Sequence, residues 1–114
     1  MFTDYIETWL EKAENRVDIV TYEGYKQYAE KHIIPYFKPL RLKLHEVSLS
    51  HIEDYYNYKA KAGRLDGKSG GLSYRSIKLH SVVFNLVFKE ALRNKLVKEN
   101  PCTYAELPKN AIKS

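Results

Sequence analysis

The sequence predicts an all-α protein, a compact bundle of four main helices. Three observations carry that expectation. Apolar residues recur at i, i+3, i+4 and i+7 through windows long enough to be helices. Residues suited to capping helix starts precede those windows, at Thr3, Asp18, Ser48 and Ser73. No stretch alternates apolar with polar residues as a half-buried strand does. A chain of 114 residues suits one domain, and 44% hydrophobic with 29% charged residues allows both a core and a soluble surface. The domain is expected over residues 1–108, with 109–114 starting a linker.

The elements follow in order. Phe2, Tyr5, Ile6, Trp9, Leu10 and Ala13 make one face of a first helix over Phe2 to Glu14, and Glu7, Glu11 and Glu14 make its outer face acidic. Asp18 caps a second helix running from about Ile19 to Ile34, with Tyr22, Tyr25, Ala29, His32 and Ile33 inward. Pro35 lacks an N–H and restricts its predecessor, so this helix should end near His32–Ile34. Pro35 to Leu44 reads as a compact basic connection with room for a short helical turn. Ser48 opens a third helix, Leu49 to Ala62, with Ile52, Tyr55, Tyr56 and Ala60 inward and Gly63 closing it. Gly63 to Gly71 holds four of the five glycines and reads as a flexible basic connector, with Arg64 and Lys68 free for loose phosphate contacts. The fourth helix, Leu72 to Asn94, is the most apolar segment. Ile77, Val83, Phe84, Val87, Phe88 and Ala91 form its core stripe, while Arg75, Lys78, Asn85, Lys89 and Arg93 form the opposite one. A short helix or turn is expected at Cys102 to Ala105.

Charge is unevenly spread. Residues 1–57 carry seven Lys/Arg against ten Asp/Glu, and residues 58–114 carry twelve against four, within an overall net charge of +5. A basic half points to an anionic partner, most commonly nucleic acid. No apolar run approaches the roughly 18 residues of a membrane span. No signal-peptide pattern is present, and the lone Cys102 excludes an internal disulfide. A cytoplasmic protein is the simplest expectation.

Catalytic chemistry is not legible. The four histidines, His32, His45, His51 and His80, fit no HExxH or Cys/His zinc spacing, and no serine sits in GxSxG. His32 and His80 lie on or near apolar faces, where a core histidine with one satisfied nitrogen is the commoner role. Glu53 and Asp54, adjacent on a helix, point apart. The glycine-rich loop lacks P-loop spacing. Catalytic residues, metal ligands and cofactors are therefore all expected to be none.

The order of motifs resembles the N-terminal core-binding domain of tyrosine recombinases, the phage-integrase family. The matching pieces are FTDYIETWL from Phe2 to Leu10, Thr21-Tyr22-Glu23-Gly24-Tyr25, His32-Ile33-Ile34-Pro35-Tyr36-Phe37 and Leu44-His45-Glu46-Val47-Ser48. They continue with Gly71-Leu72-Ser73-Tyr74-Arg75-Ser76-Ile77, the run from Ala91 to Pro101, and Leu107-Pro108-Lys109. Ser76 stands where the family usually has Thr, which keeps the hydroxyl. The resemblance implies a four-helix, SAM-like bundle that lies on one side of double-stranded DNA at a core-type recombination site. A separate catalytic domain of the same parent chain would close the clamp and supply the tyrosine nucleophile. None of the ten tyrosines here matches that nucleophile's motif, so this part should bind DNA without cutting it. The expected partners are the duplex, the catalytic domain and other recombinase protomers on DNA. No membrane is involved, the isolated domain should be a monomer, and the origin should be bacterial or a mobile element.

Family comparison and residue reading converge on the N-terminal part of the fourth helix beside the start of the second. Ser73, Tyr74 and Ser76 supply hydroxyls, Arg75 and Lys78 supply charge, Thr21, Tyr22 and Lys26 flank from the second helix, and Asn85 and Lys89 lie further along. On this expectation Arg75→Ala weakens DNA binding more than Lys59→Ala. The rival expectation is a helical protein-interaction module, suggested by the acidic first helix and the tyrosine-rich faces.

Overall fold

The computed structural model describes residues 1–62 and 71–108. Its long helices are α1 (Phe2–Ala13), α2 (Ile19–Tyr28), α4 (Leu49–Ala62) and α5 (Tyr74–Arg93), with a four-residue helix, α3 (Ile34–Phe37), between α2 and α4. Among the described residues no strand forms. The expected end at Gly63, the glycine-rich connector with Arg64 and Lys68, and the linker 109–114 lie outside the described residues.

Most starts follow the capping logic of the sequence. The Asp18 carboxylate accepts the Thr21 backbone N–H at 2.8 Å, which holds its pKa below the ordinary carboxylate value. Ser73 Oγ accepts the Ser76 N–H at 3.2 Å. Before α4, Ser48 and His51 cap each other: the His51 N–H reaches Ser48 Oγ at 3.4 Å and the Ser48 N–H donates to His51 Nδ1 at 3.0 Å. That is a capping box with histidine in the place of Glu or Gln. Thr3 is a correction. It is buried inside α1, whose N-cap is Met1, and the Phe2 N–H donates to the Leu42 carbonyl at 2.9 Å. A tertiary contact thus satisfies one of the amides that the first turn of a helix leaves free.

Pro35 is the second correction, because it does not end its helix. Residues Ala29–Ile33 form a π-helical turn, α3 follows directly, and a 3₁₀ turn at Lys38–Leu40 carries the coil on to Arg41, which turns it off in the left-handed region (φ 51°). The wider π turn resets the hydrogen-bond ladder, so Pro35 falls in the first turn of α3, where a missing N–H costs little. α2, the π turn and α3 therefore act as one column of a four-column bundle.

The core is aromatic. Phe2 stacks on Phe88 (centroids 5.3 Å apart) and meets Phe37 edge-on (5.1 Å). Tyr55 of α4 meets Phe84 of α5 at 5.0 Å and Tyr36 at 5.1 Å. Such edge-to-face pairs add to the transfer energy of burying the rings. α5 ends in a Schellman motif: Leu96 N–H bonds the Ala91 carbonyl, Lys95 N–H bonds that of Leu92, and Lys95 takes the left-handed conformation usual for glycine (φ 60°). Pro101 to Tyr104 form the expected turn. It carries buried Cys102, whose thiol burial pushes up to about 12.

Candidate nucleic-acid interface

α5 is seated by a close backbone approach. The Leu72 N–H donates to the Lys59 carbonyl at 2.7 Å, and a Cβ on Gly71 would stand 1.7 Å from the Ala60 carbonyl oxygen. Only glycine lets the chain pass the last turn of α4 at this distance. Ser73 then caps the helix, and Ser73 Oγ also donates to Ser76 Oγ at 3.2 Å. The hydroxyls of Ser73 and Ser76 are thus half-buried and engaged in the cap, while Tyr74, Arg75 and Lys78 beside them are exposed.

Further along α5, Asn85 and Lys89 are exposed too. Asn85 Nδ2 donates to the Ser81 carbonyl at 2.9 Å, which holds its side chain against the helix. At about 100° per residue, Arg75, Leu79, Val82, Leu86, Lys89 and Arg93 share an arc of about 80°, flanked by Lys78 and Asn85. Arg75, Lys78, Lys89 and Arg93 are the four Lys/Arg of α5, and Glu90 is its only carboxylate. Glu90 is 5% exposed and pairs with Arg16 at 2.8 Å and Arg93 at 3.5 Å. Arg75, Lys78 and Lys89 therefore stand on the outer face with no carboxylate of α5 against them, while Arg93 is shared with Glu90.

Two contacts orient α2. Its Tyr28 lies 5.1 Å from His80 of α5, and its Tyr25 lies 5.6 Å from Trp9 of α1. On a helix of 3.6 residues per turn, Thr21 falls within about 20° of Tyr28, along the α5 flank. Tyr22 and Lys26, both half-buried, fall beyond Tyr25, about 120° and 160° round from Tyr28. Tyr25, three residues on from Tyr22, lines one hollow with Leu86, Lys89 and Arg93 of α5, and Lys26 lines another with Glu23, Gln27 and Glu30 of α2.

Sequence reasoning missed three residues. Leu79 and Val82, each 40% exposed, sit in the middle of the cationic face. Their 3.6-residue spacing with Arg75 and Lys89 was the available signal. Lys59 is the third. It is 5% exposed, so it cannot serve as a surface comparison for Arg75. Its ammonium donates to His32 Nδ1 at 3.1 Å and lies over the Tyr55 and Tyr58 rings at 5.6 and 5.7 Å. Burial lowers its pKa. Burial, then the Lys59 and Lys31 charges, lower His32 to about 4. Burial, then His32 and Lys59, lower His80 to about 3. A neutral His80 accepts the Tyr55 hydroxyl at Nδ1, 2.8 Å away. Both histidines thus do have a satisfied ring nitrogen, and they join α2, α4 and α5 under the start of the cationic face.

Among the described residues no group of three His, Cys, Asp or Glu could hold a metal, and no helix is long and apolar enough to cross a membrane. Fold and face together define the class: a small all-α, SAM-like bundle that presents one cationic helix. More particularly, residues 1–60 match the family described as phage integrase, N-terminal SAM-like domain. The match takes in more than half of the chain, and the chain belongs to that family. It stops short of α5. A structural likeness does include α5. The solution NMR structure of a fragment, 61–160, from Clostridium leptum superposes with a TM-score of 0.71 at 24% identity, covering 99% of this chain and 93% of that one. At that identity the likeness shows the fold alone. No curated protein matches the chain.

Proposed function

We propose that this domain binds double-stranded DNA as the core-binding domain of a site-specific tyrosine recombinase. It holds one side of the core recombination site while a catalytic domain of the parent chain cleaves and rejoins the strands. The observation that carries this reading is the outer face of α5, with three cations unopposed by the helix's single, buried carboxylate, and a capped N-terminus. Family membership supplies the setting.

In this reading Arg75 and Lys78 neutralise phosphates at the start of α5, assisted by the positive end of the helix dipole. Tyr74 donates its hydroxyl, while Ser73 and Ser76 hold the cap that aims these groups. Asn85 and Lys89 meet the backbone further along, and Thr21 flanks from α2. Tyr22 and Lys26 of α2 belong to the same proposed set. Most such contacts position the domain, and few read bases.

The test is a fluorescence-anisotropy titration with a duplex of about 25 base pairs. With four to six phosphate contacts, the affinity should fall with salt on a log–log slope of about −4 to −5. Arg75→Ala and Lys78→Ala should each weaken binding. A shallow salt dependence, with both variants binding as the parent does, would return the domain to the protein-interaction class.

A further inference from the structure

The outer face of α5 is not purely polar. Leu79 and Val82 stand exposed at its centre, and Leu86 is half-buried one turn further on. The core does not require Leu79 and Val82 there, since Ile77, Val83, Phe84 and Val87 already fill the inward side. Arg75 and Lys78 lie on one side of the pair along the helix, and Lys89 and Arg93 on the other. A surface that fits this face must be anionic at its margins and apolar at its middle. The major groove of DNA has that pattern: phosphates line its edges, and the 5-methyl groups of thymine project from its floor. Leu79 and Val82 are three residues apart on one helix face, about 5–6 Å between Cβ atoms, which matches the separation of methyl groups one or two base steps apart.

We infer that Leu79 and Val82 contact thymine methyl groups in the major groove and give this domain a preference for A·T pairs at the centre of its footprint. This rests on the reading of α5 as the DNA-facing helix. The two side chains add sequence discrimination to a face whose cations bind any duplex.

The experiment compares four 25-base-pair duplexes of equal charge by anisotropy. One is alternating A·T, and one is the same with deoxyuridine in place of thymidine. One is alternating G·C, and one is the same with 5-methylcytosine, whose methyl group occupies the corresponding place in the groove. The parent domain should bind the thymidine duplex more tightly than the deoxyuridine duplex, by about fourfold for each methyl contacted. It should also prefer 5-methylcytosine to cytosine. The doubly substituted variant, Leu79→Ala with Val82→Ala, should keep salt-dependent binding and lose both preferences. Both positions are exposed, so the fold should be retained, with unchanged far-ultraviolet circular dichroism as the check. Equal affinity for the methylated and unmethylated duplexes overturns the inference and leaves the DNA reading intact. So does a double variant that keeps the parent's ratio, because the preference then comes from duplex stiffness. Absence of binding to all four duplexes at low salt removes the DNA reading and the inference together, and gives the face to an acidic protein partner.

Discussion

The two faces of α5 are built from the same helix to opposite specifications. Inward, Ile77, His80, Val83, Phe84, Val87, Phe88 and Ala91 are all buried, and ring contacts or hydrogen bonds tie several of them to α1, α2 and α4. Outward, Arg75, Lys78, Leu79, Val82 and Lys89 stand exposed. A residue with many native contacts is costly to change, and one without them is free to be chosen for a ligand. Inner-face substitutions should therefore move stability and leave the intrinsic affinity of the folded domain unchanged. Outer-face substitutions should do the reverse.

The sharpest break is Phe84→Ala. Phe84 packs against Phe2, Phe37, Tyr55 and Tyr56. Emptying that site should destabilise the domain by about 3–5 kcal/mol, read as a fall in the urea midpoint. Gly71→Ala comes next and is the one change expected to cross the division. The new Cβ would overlap the Ala60 carbonyl, so the start of α5 must move. A loss of roughly 2–3 kcal/mol in urea unfolding should accompany weaker DNA binding, because Arg75 moves with the helix.

The inner face also buries ionisable groups, and these respond to different treatments. Arg16→Ala leaves the Glu90 carboxylate buried, with only the longer Arg93 contact. Arg16 is itself about half exposed, so the loss should be about 1–2 kcal/mol, at the low end for a broken ion pair. Acid acts on the histidines. His80 and His32 titrate at about 3 and about 4 in the fold, against an ordinary 6.5. The unfolded chain therefore binds more protons between those values. Stability should be full above about pH 6.5 and should fall progressively toward pH 3–4, by a few kcal/mol at most. Tyr28 packs on His80, the Tyr55 hydroxyl donates to it, and the Lys59 ammonium donates to His32. Urea midpoints measured between pH 7 and pH 4 check this, and His80→Gln should flatten the slope.

Much of the inner face was legible in the sequence, because burial imposes a period. The stripe Ile77, Val83, Phe84, Val87, Phe88 and Ala91 and the caps Asp18, Ser48 and Ser73 follow from spacing and local hydrogen bonding alone. What the sequence hid was non-local. Thr3 lies buried inside α1, whose first amide bonds the Leu42 carbonyl that only the tertiary fold brings near. Pro35 failed to stop its helix because the π turn before it reset the ladder, and no residue type signals that reset. Lys59 looked like any surface lysine, yet its ammonium ends against His32, 27 residues earlier in the chain. On the candidate face, the cations were visible as a stripe. How α2 is turned against its neighbours depends on two aromatic contacts, Tyr28 with His80 and Tyr25 with Trp9, that no single-helix pattern contains.

The smallest effect is the one that tests the outer face most directly. Arg75→Ala should weaken duplex binding about fivefold to tenfold and reduce the salt slope by about 1, because one phosphate contact is lost. Its comparison must remove one positive charge at an exposed site away from α5. Lys59 fails that requirement, since its ammonium is buried. Lys12 meets it: it is exposed on α1, the helix whose outer face carries Glu7, Glu11 and Glu14. Both variants change net charge by the same amount, so a general electrostatic attraction would weaken equally in each, whereas a docked α5 makes Arg75 matter several times more than Lys12. Urea unfolding of both should stay within about 0.5 kcal/mol of the parent, as for exposed positions generally. Equal losses of affinity would mean that the duplex senses only the total charge of the domain, and the contrast between the two faces of α5 would then concern packing alone.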